Sequence, residues 1–413
     1  MQKLRQIQQF FVLFALAFPQ AARAALHFEV GMTAVSPILQ TYVVVNVSDD
    51  RDRSSFYPVV IRFNPRGEWD ETFAQTGALS LQNDELGDQI SLSDIQFHVT
   101  EDDYGIFFLG KARHSADSNS APSELTSGRR LVNRRRTLFV SKYNGWGEPE
   151  RFGSNGITKL KGVLKTVGDE PSSLAIDPIT GKIAVLVNTV SAPDRVGVVG
   201  LLTADGHPVT SFGSNGLIDI PAHRFPHKFA GRLHAERIWF DDPLMIRTLF
   251  SGFRPWGGQD LLKYWNVDIL VSEGKISEVH PAVSFARSAN RSRTTAIPVI
   301  SNDKTSLALA FVAPGAQYRR CSSIGCWDLS SGENKSLLRK LTVSYPLFKD
   351  VRVVSVQPGV HNSLQFLVEK PAGSGQLVRI RLDKDLKLTK LQNAGTISPE
   401  ACSWILYHAG LVE

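Results

Sequence analysis

The residues with the chemistry of metal ligands lie close together. His223, His227, His234 and Glu236 fall in one short stretch, and imidazole and carboxylate groups suit zinc or copper. The same stretch carries Arg224, Lys228, Arg232 and Arg237, which repel a cation, and Pro221 and Pro226 break any helix that would align His223 with His227. A metal is therefore not favoured, and no cofactor is implied.

Two other groups are candidates for ligand binding. Arg129, Arg130, Arg134, Arg135 and Arg136 crowd one polar segment, and the planar guanidinium fork suits phosphate and carboxylate groups. The phrase FRPWGGQDLLKYW sets Trp256, Tyr264 and Trp265 about a Gly-Gly turn. Exposed rings of this kind stack on sugars or bases, whereas buried ones pack between strands. No Gly-x-Ser-x-Gly elbow, phosphate loop, His-Glu-x-x-His pair or Rossmann glycine pattern occurs. Propeller enzymes draw isolated residues from several blades, so missing motifs do not exclude catalysis.

The elements that must hold these residues announce themselves by repetition. Residues 62–77 read RFNPRGEWDETFAQTG, 142–156 read KYNGWGEPERFGSNG, and 202–216 read LTADGHPVTSFGSNG. Each phrase has a polar turn with glycine (Gly67, Gly147, Gly206), then Phe73, Phe152 or Phe212, then a closing Gly77, Gly156 or Gly216. A weaker copy ends at Gly395, with Leu391 at the aromatic place. The closing glycines of the second and third phrases are about 60 residues apart, and the weak copy follows about three periods later. The first interval is longer by about 19 residues, and the polar stretch 112–136 accounts for the surplus as an inserted basic loop.

Pairs of short apolar runs around tight polar turns mark the same period. They flank Pro37–Gln40, Thr100–Tyr104, Asp177–Gly181, Asp241–Pro243, Ser301–Thr305 and Gln357–Asn362, and such runs signal strand-turn-strand. The acidic residues at these turns read as turn formers. Six units of about four strands each cannot bury their faces alone, and radial stacking buries them. The sequence thus predicts an all-β chain, a β-propeller of six blades, with seven the alternative. The run Ser403–Tyr407 reads as an orphan strand that completes the first unit and closes the ring. The aromatic of each phrase is expected to pack between blades.

The phrase RFNPRGEWDETFAQTG and its copies ending FGSNG resemble the delta-60 repeat of bacterial exported proteins. The resemblance covers residues 26–220 and is faint beyond. It implies a propeller fold and supplies no catalytic residues, because that family is defined by its repeat and not by an active site.

Residues 1–24 read as a signal peptide. Lys3 and Arg5 precede the apolar run Phe10–Phe18, and Ala22-Arg23-Ala24 offers a cleavage site. The run is shorter than the ~20 residues a membrane span needs, so the chain is read as exported, periplasmic or secreted, and not transmembrane, with residues 25–413 one propeller domain. Loss of Lys3, Arg5 and Arg23 lowers the formal charge of +6 and argues against dedicated nucleic-acid binding. Cys321 and Cys326 are close enough in sequence for a small disulfide loop, and Cys402 stands alone. The expected function is a non-catalytic binding or scaffold propeller, presenting loops to an envelope protein, a glycan or an anionic polymer. The alternative is a propeller hydrolase or lyase acting on a glycan or lactone.

Overall fold

A computed structural model describes residues 26–49, 56–81, 86–87, 89–100, 104–113, 136–160, 163–164, 169–189, 194–226, 233–256, 259–288, 295–300, 306–313, 320–328, 352–358, 363–371, 374–383, 388–397 and 399–411. The strands fall into six successive groups. The first is β1 (Leu26–Val35), β2 (Thr41–Asp49), β3 (Phe56–Phe63) and β4 (Ala78–Ser80); the second is β5 (Gln89–Val99), β6 (Tyr104–Arg113), β7 (Arg136–Asn144) and β8 (Ile157–Leu160). The third is β9 (Glu170–Ile176), β10 (Ile183–Asn188), β11 (Arg195–Leu202) and β12 (Leu217–Pro221); the fourth is β13 (Leu233–Asp242), β14 (Met245–Trp256), β15 (Gln259–Leu270) and β16 (Lys275–Ser288). The fifth has β17 (Thr295–Ile300), β18 (Ser306–Ala313) and β19 (Arg320–Asp328), and the last has β20 (Arg352–Pro358), β21 (Leu364–Glu369), β22 (Gln376–Leu382) and β23 (Leu388–Thr396). Neighbours within each group run antiparallel, and one parallel pair, Phe56 with Gln89, joins the first two groups, so the groups form five sheets. All six hairpins expected from the sequence are present as the first two strands of each group.

The middle strands of the third group are buried on both faces, as β11 is along its whole length, because a neighbouring sheet covers each side. Their side chains alternate between two cores. Ile183, Val185 and Val187 of β10 join Phe107, Leu109 and Val140 of the second group. Ala184 and Leu186 join Ile238, Phe240, Ile246 and Phe250 of the fourth. A slip of one residue would exchange the two sets, so register is tightly specified. The innermost strands meet in sequence: β1 with β5, β5 with β9, β9 with β13, β17 with β20, and β20 with β1 again. The chain is a β-propeller, and its last sheet packs against its first. There the Val35 N–H donates to Gln357 Oε1 at 3.1 Å, and Arg379 Nη2 donates to the Leu39 carbonyl at 2.7 Å and to Thr41 Oγ1 at 2.8 Å.

The repeated phrase links the third and fourth strands of the first three groups. Asn64 Oδ1 accepts from the N–H groups of Arg66 and Glu68, Asn144 Oδ1 from those of Trp146 and Glu148, and Thr203 Oγ1 from that of His207. Phe73, Phe152 and Phe212 are fully buried, as expected. The residue after the phenylalanine ties to the next phrase: the Ala74 N–H donates to the Trp146 carbonyl at 2.6 Å, and the Gly153 N–H to the Asp205 carbonyl at 2.8 Å.

Three expectations are corrected here. The orphan strand Ser403–Tyr407 is instead part of a helix, α1 (Pro399–His408). Pro399 suits a first turn, Cys402, Ile405 and Leu406 are buried at helical spacing, and Gly410 follows at φ +66°. The first group already has four strands, so no place is left for a returning one. The helix instead covers a core shared by Val43, Val45 and Ile61 of the first group and Leu367 and Leu377 of the last. The weak copy of the phrase is not a copy in space, since Leu391 and Gly395 both lie within β23 and Leu391 is exposed. The disulfide loop is excluded by the backbone, because Cys321 and Cys326 both lie in the extended strand β19. At ~3.3 Å per residue their Cα atoms are about 16 Å apart, beyond the ~7 Å a disulfide tolerates. Cys402 is a buried free thiol.

Candidate functional site

Five innermost strands share a feature that sequence reading missed. Each carries an extra residue relative to its partner: Gly31 in β1, Ser93 in β5, Ser172 in β9, Glu236 in β13 (with a second, Asp241, near its end) and Val354 in β20. A β-bulge breaks the alternation of faces and re-aims the side chains beside it. A small or polar residue interrupting an apolar inner run, at Gly31, Ser93 and Ser172, was the available signal.

At this level neighbouring sheets exchange polar contacts. Asp94 follows the bulge of β5, and its Oδ2 accepts from the Leu174 N–H at 2.8 Å and from Ser173 Oγ at 3.2 Å, both on β9. Its Oδ1 accepts from the Ile95 N–H at 2.9 Å. Burial pushes its carboxyl above the usual range, while the Arg237 charge and these hydrogen bonds pull it back. One seam further on, Ser172 Oγ donates to the Ala235 carbonyl at 2.6 Å. The Ala235 N–H donates to Asn188 Oδ1 at 3.3 Å.

Glu236 is the second carboxyl of this ring with a raised pKa. Burial raises it, and a hydrogen bond from Ser251 Oγ and the charges of His234 and Arg237 oppose the rise. His234 stands two residues earlier on β13, is exposed, and places Nδ1 3.5 Å from Asn188 Nδ2. A carboxyl whose pKa is raised by burial, beside an imidazole, has the chemistry to exchange a hydrogen bond or a proton with a ligand.

The other candidates are scattered. His223 is exposed in a short 3-10 turn (Ala222–Arg224) after β12, the outermost strand of the third group, whereas His234 and Glu236 are on the innermost strand of the fourth. His227 lies outside the described residues. Among the described residues no three His, Cys, Asp or Glu side chains converge as metal ligands. Arg129, Arg130, Arg134 and Arg135 also lie outside the described residues. Arg136 does not belong to the loop: it opens β7 and pairs with Arg113 at the end of β6. The insertion expected at 112–136 is therefore trimmed at both ends, since Ala112, Arg113 and Arg136 are strand residues. Burial and the facing Arg113 charge lower the Arg136 pKa, and Glu170 and Asp169 oppose the shift.

The aromatic platform is also corrected. Tyr264 and Trp265 are 1% and 2% exposed. Trp265 packs edge-on against Phe225 with centroids 6.0 Å apart. Both rings serve the core, because β15 is covered on both faces. Trp256 ends β14, and its side chain lies outside the described residues. A surface groove of about 630 Å³ does open between the second and third phrases, lined by Arg151, Asn155, Asp205 and His207 among others.

No family model matches the chain, and no curated protein matches its sequence. Solved structures are similar in outline. An apocarotenoid oxygenase from Synechocystis shows 13% identity over 82% of this chain and 69% of its own, with a TM-score of 0.43. The sialidase NanB from Streptococcus pneumoniae shows 9% identity over 84% and 66%, with a TM-score of 0.45. Prolyl oligopeptidase B from Galerina marginata shows 10% identity over 90% and 44%, with a TM-score of 0.42. Likeness at this level assigns no activity and no site residue.

Proposed function

We propose that the chain is an exported propeller of the delta-60 repeat kind that binds or scaffolds in the cell envelope or extracellular space. Taking each strand group as one blade gives six blades. The observation that carries the reading is Asp94. Its carboxyl is tied by hydrogen bonds into the seam between the second and third groups, so it serves rigidity rather than turnover. A rigid ring presents loops and rim grooves, such as the one beside His207, to a glycan, an anionic polymer or an envelope protein. No helix among the described residues is long and apolar enough to cross a membrane. The test is retention of the purified protein on immobilised lipopolysaccharide, acidic polysaccharide and envelope extract. Intact mass of the periplasmic or secreted form should begin at Ala25. Retention on none of these, or residues 1–24 kept in soluble material, removes the reading.

One observation favours a second reading, a hydrolase or lyase acting on a glycan or lactone. Glu236 combines a raised pKa with His234 on the same strand, as a general acid requires. Turnover of a glycan or lactone panel, abolished by Glu236→Gln, would establish it.

A further inference from the structure

Five of the nine large apolar side chains exposed among the described residues stand in or beside turns of the first four strand groups. Ile38, Val99, Ile179 and Leu244 are at the turns that join the first strand of each group to the second, and Trp146 is in the turn of the second phrase, between β7 and β8. Ile179 is 77% exposed, Leu244 65%, Trp146 63% and Ile38 50%. A tight turn is built from polar residues and glycine and has no use for a solvated isoleucine or leucine. Single exposed apolar side chains are ordinary, but here one recurs at the same place in four successive groups, which marks an interaction surface.

These turns lie on one face of the propeller. Neighbours in a group run antiparallel, so the turn after the first strand and the turn after the third leave the same end of the sheet. In each of the four groups the two turns meet. The pairing of Thr41 with Phe63 sets the Ser36–Gln40 turn beside the first phrase, and a Cβ built on Gly145 would meet the Tyr104 ring. A Cβ on Gly181 would come within 3.0 Å of Ala204 Cβ, and the Val271 N–H donates to the Leu244 carbonyl at 2.8 Å. The turns after the third strands also join group to group, through the Ala74–Trp146 and Gly153–Asp205 hydrogen bonds and the close approach of Gly274 to Gly213.

The charges between the apolar tips are mainly acidic. Glu68 and Glu148 hold equivalent places in their phrases and accept from Asn64 Nδ2 at 2.9 Å and Asn144 Nδ2 at 3.0 Å. Asp242 accepts from the Leu244 N–H at 2.7 Å. Among the described residues no ion pair neutralises any of these three carboxylates. Asp205 lies 3.8 Å from His207, and Glu273 lies 3.8 Å from Lys275. Arg66, in the first phrase, is the exposed cation among them.

We propose that this face docks a partner protein whose contacting segment carries both basic and apolar side chains. The inference rests on the binding reading above and names its surface and partner chemistry. A cationic segment meets complementary charge at Glu68, Glu148 and Asp242, and its apolar side chains remove the tips between them from water. An anionic polymer or an anionic lipid surface would be repelled by the same carboxylates. A second copy docked face to face would set acidic turns against acidic turns.

The test is fluorescence-anisotropy titration of the intact protein with two labelled peptides of equal length, one alternating Leu and Lys, the other alternating Leu and Glu. Trp146→Ala and Ile179→Ser are the variants. Both side chains are exposed, and Trp146 meets the Ala74 N–H through its backbone carbonyl, so the melting temperature should be kept. The Leu-Lys peptide should bind, and each variant should weaken it about tenfold. No binding of that peptide, equal binding of the two peptides, or unchanged affinity in both variants overturns the site. A wild-type dimer that Ile179→Ser dissociates, or flotation with zwitterionic vesicles that it abolishes, assigns the face to another occupant and overturns the proposal as well. If the site falls while envelope extract still retains the protein, the binding reading stands. If nothing retains the protein, the binding reading falls with it.

Discussion

Gly147 lies against the ring of Phe73: a Cβ built on it would come within 2.8 Å of Phe73 Cε2. The contact joins the turn of the second phrase to the buried aromatic of the first. It recurs one step on, where a Cβ on Gly206 would come within 2.8 Å of Phe152 Cε2. The spacing of glycine and phenylalanine in the phrase is thus the spacing of a latch between neighbouring sheets.

Gly147→Ala should therefore destabilise the protein by about 2–4 kcal/mol, combining left-handed backbone strain with overpacking. Gly410 provides the comparison. It has φ +66° but no atom within 4 Å of a built Cβ, so Gly410→Ala should cost only about 1 kcal/mol. Urea midpoints of the two variants give the difference, and equal midpoints would remove the latch.

Phe212→Ala should cost about 3–5 kcal/mol, as truncation of a core aromatic does. Phe212 is completely buried. Denaturant unfolding measures the loss. A change below about 0.5 kcal/mol, normal for surface sites, would be incompatible with its place in the seam.

Shortening the chain between Arg113 and Arg136 by about 19 residues should alter stability by only about 1 kcal/mol, since closure entropy varies slowly with loop length. Arg113 and Arg136 face each other across the β6–β7 pair, so a short turn can join them. The deletion removes Arg129, Arg130, Arg134 and Arg135. If these arginines hold an anionic polymer, salt-sensitive retention on it disappears while the melting temperature is kept. If they do not, both stay unchanged. Failure to fold would show that the segment belongs to the fold.

Asp94 predicts a pH dependence with a definite sign. Its folded pKa is raised, so between the unfolded and folded values the native state holds a proton that the unfolded state has lost. Stability contributed by this group is complete below the unfolded pKa and falls as pH rises through the folded one. Asp94→Asn cannot ionise. The stability of the wild-type protein relative to this variant should therefore decline with rising pH above the ordinary carboxylate range. A flat or rising difference in chemical unfolding from pH 4 to 8 would contradict the assignment.

Local pattern determined much of this protein. Each hairpin was legible because a strand covered on both faces needs a short apolar run, and its turn needs polar residues and glycine. The phrase was legible because Gly67, Gly147 and Gly206 all require positive φ and Phe73, Phe152 and Phe212 all need burial. Tertiary structure alone decided the rest. Ser403–Tyr407 has the composition of a strand, but with four strands already in the first sheet its apolar residues bury at helical spacing against the seam. Tyr264 and Trp265 carry no local sign of how many sheets will cover them. The bulges at Ser93, Ser172 and Glu236 depend on register with a neighbouring strand. The meeting of Asp94 with Ser173, 79 residues away, depends on two sheets docking, and a one-dimensional period cannot specify which side chains then face each other.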